Sequence, residues 1–169
     1  GASVYRISMF REIGLFDEDF FAYYEDVDIS FRAQLAGWKV YYEPSAIAYH
    51  KIGATSSKIK GFTTYQTLKN LPYILWKNVP LSLIPTVLPR FVIAYTLFFF
   101  SAISRRQIFP ALKGLFVSLL LLPKKLLQRH KIQSQKKVST DYIKSILVWD
   151  LPPNATKLRM LRKSLRGSK

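Results

Sequence analysis

The first fifty residues predict an α/β fold, and three observations carry that prediction. Residues 3–7, "SVYRI", and 39–44, "KVYYEP", have the composition of short strands; apolar residues recur at helical spacing between them; and glycines close both helical stretches. After the first strand, Ser8 can cap a short helix, "MFREI", which Gly14 ends in the manner of a left-handed C-cap. A loop, "LFDEDFFAYY", follows. From Glu25 the residues Val27, Phe31 and Leu35 mark a helix with acids in its first turn and Gly37 just past its end. Residues 46–50, "AIAYH", form a further extended piece. So few elements cannot close a core alone, and the opening on "GASVYRISMF" without an initiator Met reads as a cut through a larger domain.

Charge divides the chain. The 169 residues hold 26 Lys and Arg against 10 Asp and Glu, a formal net charge of +16. Eight acids and four bases lie at or before Glu43, whereas the rest of the chain has two acids and 22 bases, with no acid between Pro44 and Thr140. The absence of cysteine excludes disulfides and thiolate metal sites.

The acids have a plain reading. Asp17, Glu18 and Asp19 beside a turn are a solvated loop, and Asp26 and Asp28 favour the helix dipole. That reading leaves the aromatic wall of "FFAYYED" unexplained. Rings beside carboxylates partly desolvate them, and a sugar offers C–H faces to rings and hydroxyls to carboxylates.

The ordered pattern of a small-residue opening, "GLFDEDFF", "YYEDVD", "RAQLAGW", a Pro before the next strand, and a His followed by "GATS" resembles glycosyltransferase family 2. The likeness is to the second half of the catalytic domain in bacterial rhamnosyltransferase-like and galactofuranosyltransferase-like members. It continues more weakly through "TLKNLPYILWKN", similar to a paired basic-Asn segment of that family.

The resemblance implies the C-terminal half of a GT-A domain, followed by membrane-associated helices. It implies inverting transfer of a sugar from a nucleotide diphosphate donor to a hydroxyl of a lipid-linked or glycan acceptor, in bacterial surface polysaccharide synthesis. Asp26 matches the family's catalytic base, with Glu25 beside it, and Tyr24, Asp28 and Trp38 are the expected acceptor-binding residues. A carboxylate can serve because the acceptor oxygen becomes acidic as its new bond forms. His50 reads as an ordinary strand-end histidine by itself; the resemblance makes it a ligand of Mn²⁺ or Mg²⁺. Asp26-Val27-Asp28 spells an Asp-x-Asp motif but occupies the base position. The donor-binding half is expected upstream of Gly1, so this chain alone is expected to be inactive.

The acid-free region reads differently. "RFVIAYTLFFFSAIS" is short for a membrane span, and the longer stretch from Leu81 is interrupted by Pro85, Pro89 and Arg90. With "ALKGLFVSLLLLPKKLLQRHK" it predicts helices lying in an interface, with Arg105, Arg106, Lys124, Lys125, Arg129 and Lys131 facing anionic headgroups. The expected location is the cytoplasmic face of the bacterial inner membrane. Nucleic acid is not an expected partner, because the aromatics sit in apolar runs instead of alternating with bases. The implied division is a catalytic portion (1–60), a membrane-associated helical region (61–140) and a basic tail (141–169). A non-catalytic membrane-surface scaffold with a partner-binding acidic patch is the alternative.

Overall fold

The computed structural model describes residues 2–49 and 58–150, and among them every regular element is a helix. Seven α-helices follow one another: α1 (Ile7–Ile13), α2 (Glu25–Leu35), α3 (Phe62–Tyr73), α4 (Ile84–Ser104), α5 (Ile108–Leu120), α6 (Leu122–Ser134) and α7 (Thr140–Ile146). No strand forms among the described residues, which corrects the α/β, GT-A expectation. The reason is physical: an extended segment needs a neighbour to pair its backbone groups, and strand-like composition alone does not supply one. Val4, Tyr41 and Tyr42, apolar members of the two expected strands, are exposed instead of packed.

The helices are where their sequences put them. Gly14 ends α1 at φ 80°. The residue preceding α1 is Arg6, not Ser8, and it makes no side-chain cap. Helix α2 carries Glu25, Asp26 and Asp28 in its first turn, and Gly37 follows it at φ 88°. Met9 of α1 packs with Ile29 and Ala33 of α2, and Tyr5, Phe10 and Trp38 close over them.

Two further apolar clusters join the rest. Leu35 from α2 meets Leu75, Val79, Leu83 and Ile143, so residues from all three expected sequence regions share one core. Leu68 of α3 meets Ala102 of α4 and Ala111 of α5. Small residues permit that approach: a Cβ on Gly114 of α5 would lie 2.6 Å from the Tyr65 carbonyl oxygen.

Prolines shape α3 and α4. Pro72 lies inside α3 and cannot donate to the carbonyl of Leu68; the Tyr95 hydroxyl of α4 donates to that oxygen instead, at 2.9 Å. The next residues, Ile74–Asn78, form a π-helical turn. Helix α4 runs unbroken through Pro89, and Pro85 sits in its first turn, where a missing N–H costs little. With the short 3₁₀ turn before it, Leu81–Ser104 makes 24 helical residues, long and apolar enough to cross a membrane by length and composition. The expected interruption is therefore absent.

Candidate active site

The loop before α2 holds three of the four non-glycine residues with positive φ among the described residues. Phe21, Tyr23 and Tyr24 have φ of 59°, 67° and 71°, a region that non-glycine residues seldom occupy. Such geometry persists only where neighbours over-determine it. Here Asn70 does so. Its Nδ2 donates to the carbonyls of Phe20 (2.9 Å), Ala22 (2.8 Å) and Tyr23 (2.8 Å), and Lys69 Nζ donates to the Asp19 carbonyl at 2.8 Å.

A second Lys-Asn pair secures the helix itself. Asp28 is fully buried, and its carboxylate accepts from Arg32 Nε (2.9 Å), Lys77 Nζ (2.9 Å) and Asn78 Nδ2 (2.8 Å). The arginine extends the joint by donating to the Ile13 and Leu15 carbonyls at 2.6 and 2.8 Å, so α1's exit is tied to α2. Eight residues separate the two Lys-Asn pairs, and at 3.6 residues per turn the second would be rotated by roughly 80° from the first. The wider π turn between them absorbs the surplus residue and returns both pairs to the acidic segment.

Asp17 and Asp19 complete an internal ionic seam. Asp17 Oδ2 lies 2.6 Å from Lys77 Nζ and 2.8 Å from Lys125 Nζ, and Asp19 Oδ2 lies 2.7 Å from Lys125 Nζ. Burial pushes the Asp17 carboxyl up, but the two ammonium groups bonded to it outweigh that and hold it well below the usual carboxylate range. Phe20, wholly buried, lies beneath Lys77 and Lys125 and packs edge-on against Tyr73. These positions correct two expectations. The "DED" loop is not simply solvated, and Lys125 faces no headgroup, being an inaccessible counter-ion. Arg129 is also drawn inward, donating to the Trp76 carbonyl at 3.0 Å, and Lys124 pairs with Asp19.

The expected site residues do not converge. Asp28 has no surface left for an acceptor. Tyr24 turns toward α3, bonding Thr67, and burial pushes its phenol up. Trp38 packs on the α1–α2 core and donates to Glu12 at 3.0 Å. One oxygen of Glu25 is buried without a hydrogen-bond partner. Asp26 alone is an exposed carboxylate of this group: one oxygen accepts from the Val27 N–H at 2.8 Å. It borders an open cavity of about 370 Å³. Ser3, Tyr5, Ser30 and Gln34 supply polar groups to that cavity, and Phe31 and Val40 an apolar wall.

His50 lies outside the described residues. Among the described residues no three His, Asp or Glu side chains converge as metal ligands. The aspartates that do assemble, Asp17, Asp19 and Asp28, have given their oxygens to Lys and Arg, so this donor set does not fit a divalent ion.

Sequence reasoning missed the structural duties of Lys69, Asn70, Lys77 and Asn78. The available signal was the repeated Lys-Asn pair in "TLKNLPYILWKN".

Over 51 residues the chain is 47% identical to the N-acetylglucosaminyl-diphospho-decaprenol L-rhamnosyltransferase of Mycobacterium tuberculosis, in strain CDC 1551 / Oshkosh and in strain ATCC 25618 / H37Rv alike. No family model matches the chain, and no solved structure does. The matched stretch is 30% of this chain and 17% of each relative, so the chain is glycosyltransferase-like over a short part of those enzymes.

Proposed function

We propose that the protein acts in sugar transfer, with Asp26 receiving the proton of the acceptor hydroxyl. The observation that carries this reading is the contrast in carboxylate environment. Asp17, Asp19 and Asp28 are committed to internal cations, while Asp26 stands at the mouth of a cavity with hydroxyl and amide groups around it. The partial likeness to the mycobacterial rhamnosyltransferases supports the same chemistry.

In this scheme the acceptor oxygen forms a bond to the anomeric carbon as the bond from that carbon to the nucleotide diphosphate breaks. The leaving diphosphate takes the electron pair, and the acceptor proton passes to an Asp26 oxygen. Asp26 stands in the first turn of α2. Its carboxylate is a weak base, adequate because the proton moves only once the oxygen has become acidic. The neighbouring clamp from Asn70 sets where the carboxylate stands.

A nucleotide-activated L-rhamnose and an N-acetylglucosaminyl-diphospho-polyprenol are the first donor and acceptor to test. The assay uses the full-length gene product, with Mn²⁺ and Mg²⁺ each supplied. Asp26→Asn is expected to lower transfer by about 10²- to 10⁴-fold with donor affinity kept, the range of a positioned base. Activity within a few fold of the parent removes Asp26 from the role.

A further inference from the structure

Helix α4 has two unlike faces. Its inner stripe is half-buried, with Ala102 its one buried residue: Val87, Leu88 and Phe91 pack on the cluster containing Leu35, Leu75 and Ile143, and Tyr95, Phe99 and Ala102 pack with Leu68 and Ala111. Its outer face, including Val92, Ile93, Leu97 and Phe100, is exposed, Phe100 by 62%. Helix α5 repeats the division. Ala111 and Gly114 turn inward to α3, while Phe109, Phe116 and Leu120 are left open. Large apolar side chains left exposed together on one face of each helix mark an interaction site.

The charges around that surface have one sign. Arg105 and Arg106 lie in the connection between α4 and α5, Lys113 lies on α5 and Lys131 on α6, all exposed. None of the four has a carboxylate partner among the described residues. No acid occurs anywhere from Pro44 to Thr140. A protein partner surface ordinarily mixes signs, whereas an apolar face rimmed by bases fits an anionic bilayer.

We infer that α4 and α5 lie in the plane of an anionic lipid surface, outer faces inserted, and that α4 does not cross it. Helix α4 is long enough to span, but spanning would carry its inner stripe, and what packs on it, into hydrocarbon. The two elements that pack on that stripe, α3 through Leu68 and the π turn through Leu75, also carry the buried Lys69, Asn70, Lys77 and Asn78, which bond the acidic loop and Asp28. Polar groups at that depth are costly, so the amphipathic solution is insertion of one face by about 5–10 Å. This seat is independent of the transferase reading.

The chain has no cysteine, so single labels can be introduced. Ile93→Cys, Leu97→Cys, Phe100→Cys and Phe116→Cys would each be labelled with an environment-sensitive dye, with Ser145→Cys on α7 as the outward control. Flotation with vesicles of phosphatidylcholine, with and without phosphatidylglycerol, measures binding. We expect binding at least tenfold tighter to the anionic vesicles. Labels at Ile93, Leu97 and Phe100 should be quenched alike by a shallow lipid quencher, with the Ser145 label unaffected. Phe100→Glu combined with Phe116→Glu should weaken binding at least tenfold without moving the thermal midpoint, since both side chains are outside the core. A steady change of depth from Ile93 to Phe100 would indicate a spanning helix and overturn the proposal. So would a soluble dimer that ignores vesicles, or loss of binding only with loss of fold. No sugar is needed for any arm, so failure here leaves the transferase reading standing, and the converse holds.

Discussion

Asp26 and Asp28 stand two residues apart in one helical turn and face opposite ways, because two steps of an α-helix rotate the chain by about 200°. Asp28 meets Arg32, Lys77 and Asn78 in a fully buried setting. Asp26 meets one backbone N–H and the open cavity. The pair teaches that a carboxylate whose oxygens are all engaged serves the fold, while one left at a cavity mouth retains the capacity for chemistry. The segment carrying both is built from charges that separate along this line.

The sharpest way to break the comparison is to remove each acid in turn. Asp28→Ala takes the shared buried counter-ion from Arg32 and Lys77, leaving Lys77 only Asp17 and Arg32 only backbone carbonyls, and we expect a loss of about 3–5 kcal/mol in urea unfolding. Asp26→Ala should change the same measurement by no more than about 0.5 kcal/mol. Equal losses would dissolve the distinction.

Asn70→Leu tests the clamp between the two regions. It takes the Asn70 donor from the Ala22 and Tyr23 carbonyls and one of several donors from that of Phe20, for which we expect a loss of about 3 kcal/mol. Hydrogen exchange should rise most at residues 20–28. A uniform rise along the chain would show that Asn70 holds the whole fold and not that loop.

The pH dependence follows from Asp17. Its carboxyl is held below the ordinary range in the folded state, so its contribution to stability is present above that range and is lost as pH falls toward the folded value. Acid titration of the unfolding midpoint should therefore steepen below the ordinary carboxylate range, and Asp17→Asn should flatten that slope. An unchanged slope would mean the Lys77 and Lys125 contacts do not favour the ionised form.

The smallest effect separates neighbours on α6. Lys124, with a side chain 55% exposed, should cost at most about 0.5 kcal/mol when changed to Ala, as surface pairs do. Lys125, wholly buried against Asp17 and Asp19, should cost several times more. Similar losses in unfolding would mean that burial is not what distinguishes the two.

Helix α2 was legible because its period, first-turn acids and closing Gly37 agree, and α1 because Gly14 ends it. Residues 3–7 and 39–44 form no strand, since strand-like composition says nothing of a partner to pair with. In the stretch from Leu81, Pro85, Pro89 and Arg90 suggest an interruption, yet α4 runs on through all three. The exposed position of Asp26 followed from no local rule. The ionic seam was illegible for a different reason: Asp17 finds its partners 60 and 108 residues away, and such distances leave no local trace.

Those same distances fix a sequence of events. A junction that joins positions 17, 77 and 125 cannot close until α6 has returned to the start of the chain, and closing long loops is slow. Until then Asp17 and Asp19 lack the Lys125 that joins them. The ion pairs that join Asp17 to Asp19 are therefore completed only after a residue more than one hundred positions downstream has docked.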